Sequence, residues 1–539
     1  MRTASGATAV QIAESVGGKR RIVAHLGSAH SQAELGLLLE RAQRLLEDPG
    51  QAEFELGVEP LVPVKALLQA REERALFEAP GASGSGAGRV GAARVVATSS
   101  RVLYDALAGV YTDLGFDALR DGVFQDLVIA RVVEPTSILD TGRVLAELGR
   151  SAASEKTMRR TLKKAYNGAY RDTLARLCFE HASRRGDVSL CLYDVTTLYF
   201  ETDKEDTLRK VGYSKERRVD PQIVVGLLVD RNGFPLEIGC FEGNKAEKLT
   251  MLPMIRAFQG RHGVEHMVIV ADAGMLSAAN LRELDEAGYA FIVGSRVTKA
   301  PIDLESHFRW HGDHFTDGQI IDTLTPKSGK NDQNDPALRA EPVWDRQVHA
   351  GSWRAVWTYS QKRAARDGKT LTAQENRARA VIAGEKAART PRFVKLNGNQ
   401  RVLDQARLNR ARKLVGLKGY VTNIPAQVMP AAEVITNYHD LWQVEQSFRM
   451  SKSDLAARPM FVRTKDSIEA HLTIVFTALA LARTAQDRTG LTIRNVLRQL
   501  RPLRSATIAI NGTTQTLPPA IPPPQQQLLN TLTRPHPRH

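Results

Sequence analysis

Apolar and polar positions alternate with a period near two in VQIAES and RIVAHLG, residues 10–15 and 21–27, across the turn VGGKR, so residues 9–27 read as a hairpin. From Gln32 to Leu46, Leu and Ala recur at helical spacing. The pattern lapses over residues 80–98, PGASGSGAGRVGAARVVAT, a composition that suits a linker. From Ser99 to Arg185 the spacing is helical throughout. Within that stretch Ser154 suits the cap of a helix whose Lys156, Arg159, Arg160, Lys163 and Lys164 make a basic side.

The period changes at Val188. SLCLYDVTTLYF, QIVVGLLVD and FPLEIGCFEGN are rich in β-branched and aromatic residues, and RNG joins the last two as a turn. A helix (KLTMLPMIRAF), a buried strand (MVIVAD), a helix (SAANLRELDEAG) and a strand (YAFIVGS) follow. Three hairpin-linked strands and then β-α-β units predict an α/β domain with a mixed five-stranded sheet and flanking helices. Residues 298–416 break this pattern with short strands, a polar loop and a basic helix, and read as an inserted β-rich subdomain. KLVGLKGYVTNIP returns to a strand. Pro430 to Lys452 reads as one long helix, and Ser467 to Arg483 as a second, mostly apolar one. The Pro/Gln-rich end reads as partly disordered. The expected parts are 1–79, 80–98, 99–186, 187–297, 298–416, 417–483 and 484–539, with the sheet domain split around the insertion.

At 539 residues, about two to four domains are expected. A formal charge of +15 implies an anionic partner, of which nucleic acid is the commonest. Residues 483–539 carry eight Arg against one Asp, with no Lys or Glu. No apolar run reaches the length of about 18 residues that a membrane span needs. MRTASGATAVQIAES lacks the apolar stretch of a signal peptide. Cys178, Cys191 and Cys240 form no CxxC or Cys/His pattern, so reduced thiols in a cytoplasmic protein are expected.

Three carboxylates stand where carboxylates are costly. Asp194 lies inside an apolar strand, on the face of Leu190 and Leu192, and needs a cation or strong donors there. Asp272 ends MVIVAD, at the strand terminus where open α/β sheets place their chemistry, and Ala273 and Gly274 let the chain turn away. On the long helix, Glu445 falls in the middle of a stripe of Val434, Tyr438, Leu441, Trp442, Phe448, Arg449 and Lys452. Separately, the aspartates can be turn or cap residues, and Glu445 can pair with Arg449 or Lys452. Together they make a hard-oxygen set suited to two Mg²⁺ or Mn²⁺ ions, the ligands of two-metal phosphodiester chemistry, with Asp194 bridging.

These residues resemble the DDE transposases of bacterial insertion sequences, specifically the class with a Tyr-Arg-Glu-Lys signature. The blocks are LYDVTTLYFET around Asp194, VIVADAGMLSAANL around Asp272, and Tyr438–Leu441–Glu445–Lys452. Leu441 departs from the signature, which has Arg there. The resemblance covers roughly residues 100–485. It implies an RNase H-like domain with a β-rich insertion and a catalytic, metal-binding triad of Asp194, Asp272 and Glu445. It also implies that Tyr438, Arg449 and Lys452 meet DNA. The expected partners are terminal inverted repeats and target DNA, held by a homodimer in a synaptic complex. An RNase H-fold nuclease without strand transfer, or a silent DNA-binding relative, would share much of this pattern.

Two further DNA contacts are expected. Lys163 and Lys164 can lie along phosphates, or form a solvated helix face. Trp353 and Trp357, four apart and so on one side of a strand, can stack an extruded base or belong to the core of the insertion.

Overall fold

The computed structural model describes residues 8–16, 19–29, 35, 38 and 94–533, the last span with short gaps at 187, 203, 214–218, 265, 274–276, 329–336, 387–390, 399, 459, 461 and 511–512. The chain divides into two units, residues 1–90 and 91–539. In the first, β1 (Thr8–Val16) and β2 (Lys19–Ala29) pair antiparallel as the predicted hairpin, and Val10, Ala29 and Leu35 are buried together. The helix expected over Gln32–Leu46 falls, apart from Leu35 and Leu38, outside the described residues.

The second unit opens with β3 (Arg94–Ser99) and five helices: α1 (Arg101–Asp113), α2 (Gly122–Val133), α3 (Ile138–Glu147), α4 (Glu155–Asn167) and α5 (Tyr170–Arg185). Ser154 caps α4 by accepting from the Thr157 amide. The sheet then begins with β4 (Leu190–Tyr199), β5 (Gln222–Asp230) and β6 (Pro235–Glu242), which pair antiparallel. After α6 (Met251–His262), β7 (Val268–Ala271) pairs parallel to β4; after α7 (Ala278–Glu286), β8 (Ala290–Ser295) pairs parallel to β7. The spatial order β6-β5-β4-β7-β8 is the RNase H-like arrangement.

The sheet does not stop at five strands. The segment expected to form a separate β subdomain holds α8 (Ala300–Asp303), α9 (Glu305–Trp310), β9 (Ile320–Pro326), β10 (Ser352–Tyr359), α10 (Gln361–Ile382), the hairpin β11 (Val394–Asn397) and β12 (Gln400–Leu403), and α11 (Gln405–Lys413). The chain then enters β13 (Leu417–Thr422), which pairs antiparallel to β8 and to β10, while β10 pairs to β9. One sheet of eight strands results, β6-β5-β4-β7-β8-β13-β10-β9. The five expected strands form, and β13, β10 and β9 extend them, because the edge strand β8 accepts partners from distant parts of the chain that local pattern does not name.

Pro430 to Lys452 is not one helix. α12 (Ala431–His439) and α13 (Trp442–Ser453) are separated at Asp440–Leu441, where the Leu441 amide reaches back only to the Tyr438 carbonyl. The break resets the helical phase. On α13 the buried stripe is Val444, Ser447, Phe448 and Ser451, while Trp442 is 54% exposed.

α14 (Lys465–Thr489) joins the helical region to the sheet, packing against α2, α4, β6 and α13. By length and composition it matches a membrane-spanning helix, yet 94% of its apolar window is buried inside the protein. A helix apolar on every side is a core helix when neighbours surround it. Its Arg483 is buried and donates to the carbonyls of Asn232, Gly233 and Gln443, tying the β5–β6 turn to the start of α13.

The C-terminal end is structured as far as it is described. α15 (Ile493–Leu500), β14 (Ser505–Ile510), β15 (Thr513–Leu517) and α16 (Pro523–Thr533) follow α14. β14 pairs with β3, so the last residues assigned to the linker are a strand whose partner lies some 400 positions away. Leu528, Leu529 and Leu532 anchor α16 against α1 and α14. Several basic residues of this end are consumed internally: Arg488 pairs with Asp113, Arg494 with Asp454, and Arg501 with Glu134 and Glu147.

Candidate active site

β4 and β7 run parallel in register, Leu190 opposite Val268 through Tyr193 opposite Ala271. Asp194 and Asp272 are the next residue on each strand. Neighbouring strands lie about 4.8 Å apart, so the ladder sets the backbones of the two acids side by side at the point where pairing stops. The sequence dictates this through two apolar runs, LCLY and VIVA, that must be buried and each end on an acid. The turn expected from Ala273–Gly274 falls partly on residues 274–276, outside the described residues.

α13 packs on β4 and β5 and brings Glu445 to the same region. Asp194 and Glu445 both line an open groove, with Thr196, Tyr199, Glu247, Arg449, Lys452 and Arg458. Asp272 lies outside the groove walls, on the adjacent strand, and is joined to Asp194 by the ladder register. Glu445 does not sit in the middle of a buried stripe, as the unbroken helix implied. It is exposed at the groove edge and makes no ion pair among the described residues, so the pairing with Arg449 or Lys452 is not formed.

Tyr438, at the end of α12, donates its hydroxyl to Asp272 Oδ1 at 2.8 Å, and the Ala273 amide donates to the same oxygen at 2.7 Å. Burial and the Asp272 carboxylate push the Tyr438 phenol above its usual range, which keeps it a donor. The reach requires Gly294 on β8: a Cβ there would meet the Tyr438 hydroxyl at 2.5 Å. Both bonds go to Oδ1 and so fix the orientation of the carboxylate, while Oδ2 accepts no bond among the described residues.

Lys418 escaped the sequence reading. It sits on β13 with its ammonium 4.5 Å from the centre of the Tyr438 ring and 5.4 Å from that of Tyr420. Burial, then Arg363, pulls it below the usual lysine range, and Asp272 and Glu445 pull it back. Among the described residues it has no hydrogen-bonding acceptor or ion-pair partner. Its signal was present: a lysine inside the apolar strand LKGYVT is the same anomaly that singled out Asp194. Arg458, over the Tyr199 ring at 5.5 Å, and Glu247 also line the groove without having been singled out. Leu441, where the signature has Arg, is buried at the helix break.

The other expected contacts separate. Lys163 and Lys164 lie on an exposed face of α4, but Lys164 reaches Asp121 at 3.0 Å and Arg159 pairs with Glu155. Trp353 and Trp357 are core residues, 3% and 0% exposed, which favours the core alternative over base stacking. Trp353 packs edge-on against Phe291 and donates to Asp285 at 3.3 Å; Trp357 donates to Asp303 at 3.1 Å. Gly419 makes room for Trp357, since a Cβ there would stand 2.6 Å from the ring. The physical reason is the sheet extension: β10 is an inner strand, flanked by β9 and β13 and covered on its faces.

None of the curated proteins matches the sequence. Among solved structures, similarity extends to a piggyBac transposase synaptic complex with hairpin DNA, at 9% identity over 75% of this chain and 70% of that one, with a TM-score of 0.34. A Mos1 transposase paired-end complex with the left transposon end aligns at 9% identity over 47% of this chain and 71% of that one, with a TM-score of 0.15. A family model described as the transposase DDE domain matches residues 186–481, a span that starts just before β4, takes in the insertion and ends within α14. That span covers more than half of the sequence and holds all three acids together with Tyr438 and Lys418, and on it the chain belongs to the transposase DDE domain family.

Proposed function

We propose that the protein is a transposase of an insertion sequence, of the Tyr-Arg-Glu-Lys class, that cuts DNA at the ends of its element and joins the freed 3′-hydroxyl to a target. The observation that carries this reading is the register of β4 and β7, which sets Asp194 beside Asp272 with Glu445 across the groove. The donor set is all oxygen, on exposed or half-buried carboxylates, and fits hard divalent cations. Held by these three residues, two Mg²⁺ or Mn²⁺ ions would activate the attacking oxygen and stabilise the leaving one.

The chain supplies the rest. Tyr438 orients the Asp272 carboxylate. Lys418 is a half-buried ammonium short of acceptors beside Asp272 and Glu445, placed to receive a phosphate oxygen; it stands in for the charge absent at Leu441. Arg449, Lys452 and Arg458 line the groove as further phosphate contacts, and the exposed Lys156, Arg160 and Lys163 of α4 offer a second basic face. Terminal inverted repeats bound by a homodimer are the substrate this implies.

Duplexes carrying the repeats that flank the gene test the reading. In Mg²⁺ or Mn²⁺ the protein should nick the element end and join it to a second duplex. Nicking without joining would leave a nuclease. Lys418→Met should lower cleavage and reduce the salt slope of end binding by about one; an unchanged slope would remove Lys418 from the DNA.

A further inference from the structure

The insertion carries a second cluster of ligand-type side chains, built on a different chemistry. His307 on α9 and His311, just past its end, are four residues apart and so lie on one helical face. The segment Arg339–Glu341 crosses that face through three contacts. The Arg339 guanidinium stands 5.0 Å over the Trp310 ring, the Arg339 carbonyl is 3.2 Å from His311 Nε2, and Glu341 Oε1 is 2.6 Å from His307 Nδ1. One ligand atom from each of His307, His311 and Glu341 lies within 4.8 Å of the other two.

Two observations bear on what the cluster can hold. First, Glu341 approaches His307 at Nδ1, so Nδ1 is the ring nitrogen that can share an ion with this carboxylate, and the ring itself is 3% exposed. Second, the carbonyl of Arg339 fixes His311 with its proton on Nε2, which leaves the Nδ1 lone pair available. A backbone carbonyl behind a ligating imidazole is the usual device that sets its tautomer. Phe315 stacks on His307 with the ring planes 9° apart and holds that imidazole in place.

We propose that His307, His311 and Glu341 form a binding site for a zinc-class divalent ion, separate from the acidic groove. Two imidazoles and one carboxylate suit a borderline ion and are a poor set for Mg²⁺, which favours oxygen ligands. Three protein ligands leave one coordination position for water. The ion fastens α9 to the 339–341 segment and closes the stretch of chain between them, which includes β9. Its binding free energy is therefore folding free energy of the insertion.

The test uses tag-free, chelator-stripped full-length protein titrated with Zn²⁺ alone. The readouts are bound metal per chain, the visible d–d absorption of Co²⁺ as a substitute, and the melting temperature. The expected result is one Zn²⁺ per chain, a tetrahedral-type Co²⁺ spectrum, a raised melting temperature, and no displacement by excess Mg²⁺. His311 is exposed, so His311→Ala keeps the fold, and it should weaken Zn²⁺ binding on the order of 100-fold and abolish the thermal shift. Glu341→Gln should act in the same direction. Absence of stoichiometric Zn²⁺, or equal binding by His311→Ala, overturns the proposal.

Discussion

The acidic groove and the interior around β10 both carry polar groups where apolar ones would be cheaper, and they treat them in opposite ways. Around β10 the charged groups Arg354 and Asp285 are matched. Arg354 is 1% exposed and gives both ends of its guanidinium to Asp322 and to the carbonyls of Ile424 and Met429. Asp285 accepts from Lys327, Arg346, Trp353 and Asn423. At the acidic site, Glu445 on the groove wall and Lys418 on β13 have no such partners among the described residues, and both bonds to Asp272, on the neighbouring strand end, go to one oxygen. Saturated polar groups fix a fold; unsaturated ones wait for a ligand.

The sharpest way to break this contrast is to remove one acid. Asp194→Asn should lose about 4 kcal/mol of transition-state stabilisation, on the order of 10³-fold in cleavage rate, with the melting temperature unchanged. A variant that cuts at more than a tenth of the normal rate would take Asp194 out of the site. The matching change in the saturated region is Trp357→Ala. It should cost about 3–5 kcal/mol of stability while leaving cleavage per folded molecule as it was. A specific loss of a later DNA step in a stably folded variant would return that residue to the DNA.

Smaller effects sharpen the picture. Tyr438→Phe should slow cleavage about 10–100-fold and weaken Mn²⁺ binding, because Asp272 loses the donor that orients it. Equal Mn²⁺ affinity in wild type and variant would show that the Tyr438–Asp272 bond is only structural. A pH-dependent effect concerns Asp303, whose carboxyl burial pushes up to about 7. Between its ordinary value near 3.8 and about 7, the folded chain holds a proton that the unfolded chain has released. Its contribution to stability therefore falls as pH rises through that window and levels off above it. Asp303→Asn should gain on the wild type across the same window in urea unfolding; parallel curves would contradict the assignment.

Much of the groove was legible because its anomalies are local. Asp194 breaks an apolar strand and Asp272 ends another, and each can be seen within ten residues. Glu445 stands out in the sequence as well, but its setting differs from the unbroken helix expected, since the break at Asp440–Leu441 has no Pro or Gly to announce it. The strand pairings of β9, β10 and β14 were hidden because their partners are distant in sequence, and that concealed why Trp353 and Trp357 are core. The same limit hid the internal ion pairs of Arg488, Arg494 and Arg501, whose charges read as a basic tail when counted along the chain.

Asp194, Asp272 and Glu445 are proposed to surround one metal site. Fe²⁺ bound in place of Mg²⁺ generates hydroxyl radicals that cut the backbone close to the ion. With ascorbate and peroxide, the account predicts three sets of cuts, near residues 194, 272 and 445, all suppressed together by excess Mg²⁺. Mg²⁺-sensitive cuts confined to one of the three segments, or absent from all of them, would contradict it.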